Sequence, residues 1–226
     1  MTTRTAKKSP LMLARVAGVL YLSLLPLGLF GVLSSGPSSR LGIVSALLVQ
    51  IVNIFVVLAL YQLLKPVNKN MAVLMVIFLL LGVPIAMLNE LNQFAVLLLS
   101  SGADYLRGFT ADQLHGLMLF FLHLHDIGLN IAGLFWGLWL FPMGYLVFKS
   151  GFLPRVLGIL LMIGCAGYLV QSFAAFLLPN FEVNIALFTF WGEVLFPLWL
   201  VMKGVNVAQW EKRAREAVEW PAQESA

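Results

Sequence analysis

The stretch LGIVSALLVQIVNIFVVLALYQLL (Leu41–Leu64), the turn KPVNKN (Lys65–Asn70) and the apolar run from Met71 to Leu99 decide the fold. A charge-free run of roughly 20 residues, rising 1.5 Å per residue as an α-helix, matches the ~30 Å hydrocarbon core of a bilayer. Further runs extend on both sides: Leu11–Leu33, Leu114–Phe148, Val156–Leu178 and Ile185–Met202. Turn-forming separators carry Gly36 and Pro37, Pro66, Gly151 and Pro154, and Pro179. The expected fold is all-α, a polytopic transmembrane bundle of six helices whose third and fourth members form a long hairpin.

Composition agrees. Hydrophobic residues make up 61% of the 226-residue chain and charged residues 11%, and mean hydropathy is +0.93. A soluble domain would carry about a quarter charged residues. The net charge of +4 does not indicate nucleic acid, because the basic residues lie between apolar runs rather than in one patch. They act as topology signals. With the N-terminus in the cytoplasm, all of the 14 lysines and arginines except Arg40 and Arg107 fall inside. Six spans then return the C-terminus to the cytoplasm, and the expected location is a bacterial cytoplasmic (inner) membrane. The chain divides into a basic cytoplasmic tail (1–10), a transmembrane domain (11–206) and a cytoplasmic C-terminal tail (207–226). In that tail Trp210, Ala214, Ala217 and Val218 share one helical face. The first apolar run is longer than a signal-peptide core and lacks a small-x-small cleavage site, so it is read as an uncleaved span.

Cys165 is the one cysteine, so neither an intramolecular disulfide nor a CxxC site is available. GxGxxG, P-loop, GxSxG and HExxH motifs are missing, which leaves no cofactor or metal assignment.

Polar residues inside a bilayer are expensive, and the few present are the functional candidates. Glu90 lies 19 residues, roughly 28 Å, past Met71, and Asp126 lies 22 residues, roughly 33 Å, before Phe148. Both reach the outer boundary of the hydrocarbon, where Asn89, Glu90, Asn92 and Gln93 can face the polar part of the fourth span. All three histidines belong to that span. At 100° per residue His115, Asp126, Asn130 and His123 occupy an arc of about 80°, and His125 falls to the other side of His115 by a similar angle. Imidazole and carboxylate together can bind zinc or relay protons, although His123 and His125 diverge too far on one helix to share an ion. Interfacial groups that merely reach headgroups and water give the same pattern. Glu193, ten residues or roughly 15 Å before Lys203, and Asn53 in the second span lie near the midplane. A carboxyl there must be protonated, paired or hydrated, and hydrogen bonding to Asn53, Gln50 or Gln171 as ordinary helix packing is the plain alternative. Trp136, Trp139, Trp191 and Trp199 read as packing, as do Gly128, Gly133, Gly137 and Gly144.

The segments LLLSSGADYL (Leu97–Leu106), GYLVFKSGFLPRVLGILL (Gly144–Leu161), Gly192-Glu193 and LWLVMKGV (Leu198–Val205) resemble the bacterial membrane family designated domain of unknown function 4386 (DUF4386). The opening Ala14-Arg-Val-Ala-Gly18 and the Lys65–Asn70 turn are similar to it as well. The resemblance implies an inner-membrane bundle and supplies no activity. It makes His125 the motif histidine of the fourth span and Glu193 the motif acid of the last. Members often carry a base within the third span, where Leu79 and its neighbours are apolar here.

Three functions fit these residues. A small transporter or proton-coupled membrane component would use Glu193 and Asn53 together with the outer polar cluster. An intramembrane enzyme, metal-assisted or not, acting on a lipid-like substrate would need His125, Asp126, His123 and Glu90 to converge. A scaffold would use the same groups to hold helices together. The expected partners are the lipid bilayer and either another membrane protein or a lipid-like or small-molecule ligand, with no nucleic acid.

Overall fold

A computed structural model of the chain describes residues 9–34, 39–178 and 185–223. The basic tail read at residues 1–8 lies outside them. Helices account for the ordered structure: α1 Pro10–Ser34, α2 Arg40–Leu64, α3 Lys69–Leu99, α4 Ala111–Leu138, α5 Leu140–Ser150, α6 Arg155–Leu177, α7 Ile185–Thr189, α8 Trp191–Met202 and α9 Val207–Gln223. No strand occurs among the described residues. Five helices are long and apolar enough to cross a membrane, with α4 and α5 counted together as Ala111–Ser150, and a sixth candidate is Leu187–Met202 joined to Val207–Ala217. These are the helices of a multi-pass membrane protein.

Local chemistry sets the boundaries. Asn68, in extended conformation, accepts the Met71 N–H at 3.0 Å and opens α3. Thr110 and Gln113 form a reciprocal capping box at the start of α4. Gly151 ends α5 with φ 74°, a left-handed position that favours glycine.

Two runs read as single helices each contain a break. The regular hydrogen bonding of the fourth run is interrupted at Trp139, and Pro142 explains why: it has no N–H to give the carbonyl of Leu138 four residues back. The last run breaks at Phe190, so that Glu193 lies in the first turn of α8 and its N–H bonds the Phe190 carbonyl at 2.8 Å. Pro197 withholds a second hydrogen bond, the one that would reach the carbonyl of Glu193 itself.

Helices α3 and α4 form the long antiparallel hairpin, and α1 packs between α2 and α8. Close approach rests on small residues, as expected where lipid supplies no hydrophobic drive between helices. A Cβ on Gly144 would stand 2.6 Å from the Gly158 carbonyl oxygen, and one on Gly158 would stand 2.6 Å from that of Gly144. The α5 and α6 backbones therefore touch.

Packing is uneven along the bundle. Wholly buried side chains, among them Leu60, Leu64, Met75, Leu146, Phe196 and Leu200, fill the end where α2 passes into α3. Helix α9 closes this end, turned 103° from the preceding segment. The Nε1–H of Trp210 donates to the Leu63 carbonyl at 2.8 Å. Toward the opposite end, where α1 stops and α2 begins, the hairpins α1–α2 and α3–α4 separate around a cavity.

Candidate functional site

The cavity between the two hairpins has a volume of about 520 Å³ and mostly apolar walls, with one polar pole. That pole is built by α3 and α4. Ala86, Glu90 and Gln93 follow one another at helical spacing on α3, and Leu122, His125 and Leu129 do the same on α4. Asn89 sets the register: its side chain lies in the space left by the missing Cβ of Gly128, and its Nδ2 donates to the His125 carbonyl at 2.9 Å. Glu90 is 8% exposed, and its Oε1 lies 3.4 Å from His125 Nε2. The amide Nε2 of Gln93 is 3.4 Å from His125 Nδ1. With Gln93 donating to Nδ1, the Nε2–H of the imidazole is left to donate to Glu90.

The other polar residues of the fourth span are placed differently. Asp126 is 72% exposed, although its Oδ1 comes within 4.0 Å of His125 Nδ1. His115 and His123 are exposed, and Asn130 bonds back to the Asp126 carbonyl of its own helix at 3.1 Å. Of the residues on that helix only His125 turns inward to meet Glu90. The convergence of His125, Asp126, His123 and Glu90 required for a lipid-directed enzyme is therefore not formed. Among the described residues no group of three or more His, Cys, Asp or Glu side chains is arranged to hold a metal ion.

Glu193 occupies a second, smaller cavity of about 170 Å³ with Asn53, Tyr21, Tyr168, Trp136 and Trp139. Glycines bring these elements together. A Cβ on Gly192 would stand 2.7 Å from backbone atoms of Leu160 and Leu161, so α8 lies directly on α6 and Glu193 reaches Tyr168. Gly18 brings α1 against α8, since a Cβ there would stand 2.9 Å from the Pro197 carbonyl oxygen. One helical turn later the Tyr21 hydroxyl donates to Glu193 Oε2 at 3.1 Å. Among the described residues the shielded Oε1 makes no bond of hydrogen-bond geometry, although the Tyr168 side chain stands close by. Gln171 is engaged elsewhere, accepting from the Ile185 N–H at 2.7 Å.

The two cavities adjoin. Val49, Gln50 and Trp136 line both. At this shared wall the Oε1 of Gln50 and the Nε1–H of Trp136 are shielded and make no hydrogen bond within the described chain. Such atoms cost about 1–3 kcal/mol each unless water or a ligand satisfies them.

Sequence reasoning passed over Tyr21 and Tyr168 and read Trp136 and Trp139, which line the inner cavity, as packing. An aromatic ring in an apolar helix carries no signal of its own. The available hint was depth, because Tyr21, Asn53 and Trp136 are each about midway along an apolar run.

The family model described as "Domain of unknown function (DUF4386)" matches residues 16–204. A protein of Archaeoglobus fulgidus, described as an uncharacterized protein, is 35% identical over 167 residues, covering 74% of this chain and 86% of the relative. No solved structure matches.

Proposed function

The chain belongs to the DUF4386 family, and from that premise we propose that it is a proton-handling component of a small membrane transporter, in which protons pass between a mouth at Glu90 and His125 and an interior carboxyl, Glu193. The observation that supports this reading best is the shared wall of Gln50 and Trp136, which makes the two cavities neighbours. Each cavity has a group able to exchange or relay protons. Imidazole does so near neutral pH as a class, and the carboxyl of Glu193 with the Tyr21 hydroxyl does so inside. Water can occupy both cavities, which far exceed the ~10–15 Å³ one molecule needs. A scaffold has no need of shielded, unpartnered polar atoms in residues that line cavities.

In this reading the membrane is the cytoplasmic one, crossed six times with α7 and α8 forming a broken last span. Both termini and α9 are cytoplasmic, as the distribution of lysine and arginine favours. The tightly packed end then faces the cytoplasm and the mouth faces outward. Helix breaks at mid-depth are tolerated where they line such a cavity.

The test is proton flux in vesicles containing purified protein and an internal pH-sensitive dye. An imposed pH gradient should collapse faster with wild-type protein than in empty vesicles, and Glu193→Gln should return the rate to that of empty vesicles. Equal rates for wild type and Glu193→Gln would refute the reading.

A further inference from the structure

We propose that the inner cavity is a binding site for a small organic ammonium ion. This rests on the reading of Glu193 as the interior charge-bearing group and names the class of solute that would use it.

Four aromatic side chains, Tyr21, Trp136, Trp139 and Tyr168, line the same cavity as the carboxyl of Glu193. The Tyr21 and Trp139 rings are 5.7 Å apart between centroids and inclined at 47°, so they present two walls rather than one stack. A cation within about 6 Å of an aromatic centroid is attracted by the ring quadrupole, most strongly by tryptophan and most effectively when desolvated. Aromatic walls also replace water around methyl or methylene groups without requiring hydrogen bonds. An inorganic cation asks for a shell of oxygen ligands and no aromatic surface, whereas this cavity adds four aromatic rings to its one carboxyl, two amides and two phenol hydroxyls. An alkylated ammonium fits that lining.

Charge along the route points the same way. No lysine or arginine is among the residues lining either cavity, while Glu90 stands in the outer one and Glu193 in the inner one. An anion would have to pass both acids with only the imidazole of His125, itself beside Glu90, to offset them. The unpartnered Oε1 of Gln50 and Nε1–H of Trp136 lie where the cavities meet. Both atoms are shielded as the structure stands, so the charge and the rings, not these two atoms, carry the recognition. The volume of about 170 Å³ admits such an ion and excludes a whole lipid.

Titration calorimetry on the purified full chain in detergent would use choline as the probe and its uncharged carbon isostere, dimethylbutanol, as the control. Choline should bind saturably, the isostere should bind at least tenfold more weakly, and Glu193→Gln should weaken choline by at least tenfold. Trp136→Leu, remote from the carboxylate's own helix, should weaken choline as well. Equal binding of choline and dimethylbutanol by the wild type would overturn the proposal without reference to any variant. So would choline binding unaffected by Glu193→Gln, or no choline binding at all. If protein that binds no choline still passes protons through Glu193, the ammonium site falls and the proton path stands. Choline binding without Glu193-dependent proton flux would keep the site and refute the path.

Discussion

The Tyr21 hydroxyl donates to Glu193 Oε2 at 3.1 Å and so ties α1 to α8 across 172 positions of sequence. The bond fixes the carboxyl toward the inner cavity and gives it one of its few partners. Tyr21→Phe keeps the ring and its packing on Trp139 but removes the donor. A buried acceptor that loses its donor costs about 1–3 kcal/mol. Thermal unfolding in detergent should therefore show a lower midpoint for Tyr21→Phe, and an unchanged midpoint would mean that the bond contributes nothing.

Helix contact through Gly192 should be far less tolerant than glycine elsewhere. A Cβ there would meet backbone atoms of Leu160 and Leu161 at 2.7 Å, and backbone cannot rotate away. Nothing lies within 4 Å of a Cβ built on Gly28. Gly192→Ala should cost about 1–3 kcal/mol through overpacking, whereas Gly28→Ala should stay within about 0.5 kcal/mol of wild type. The same unfolding assay compares them, and equal behaviour would contradict the placement of α8 on α6.

Helix α9 is attached to the bundle through Trp210, which is 9% exposed and hydrogen-bonded to the Leu63 carbonyl. Trp210→Phe should lose mainly that bond, roughly 1 kcal/mol. Trp210→Ala should lose the packing too, roughly 3 kcal/mol or more. Hydrogen exchange across residues 207–217 should accelerate in that order, and protection retained in Trp210→Ala would show that α9 is held by other contacts.

Orientation is checked by reporter fusions. Those placed after Lys69, Arg155 and Lys212 should report the cytoplasm, and one near Arg107 the outside. A cytoplasmic signal at Arg107 would invert the bundle and turn the mouth at Glu90 inward.

The spans were legible because apolar runs of bilayer length have no other stable use. The breaks at Trp139 and Phe190 were not, since hydrophobicity is continuous across both. Pro142 and Pro197 marked the regions, but prolines are ordinary in membrane helices and acquire meaning only once the freed carbonyls are placed. Glu90, His125, Asn53 and Glu193 stood out because charge and amide groups are costly in lipid. The helical arc put His115, His123, Asp126 and Asn130 on one side of the fourth span. What it could not supply was which side faces α3, and the structure turns His125 there, leaving His115, His123 and Asp126 exposed. Tyr21 and Tyr168 reach Glu193 only through glycine contacts between helices distant in sequence, which no local pattern encodes.

The central claim is that one water-accessible path runs from the Glu90–His125 mouth to Glu193. Cys165 is the sole native cysteine, so Cys165→Ser gives a clean background for single cysteines at positions 50, 53 and 60. A membrane-impermeant thiol reagent, added only on the side of Arg107, should label Gln50→Cys and Asn53→Cys, and it should spare Leu60→Cys in the packed end. Labelling of Leu60→Cys from that side, or failure of both Gln50→Cys and Asn53→Cys in folded protein, would contradict the path.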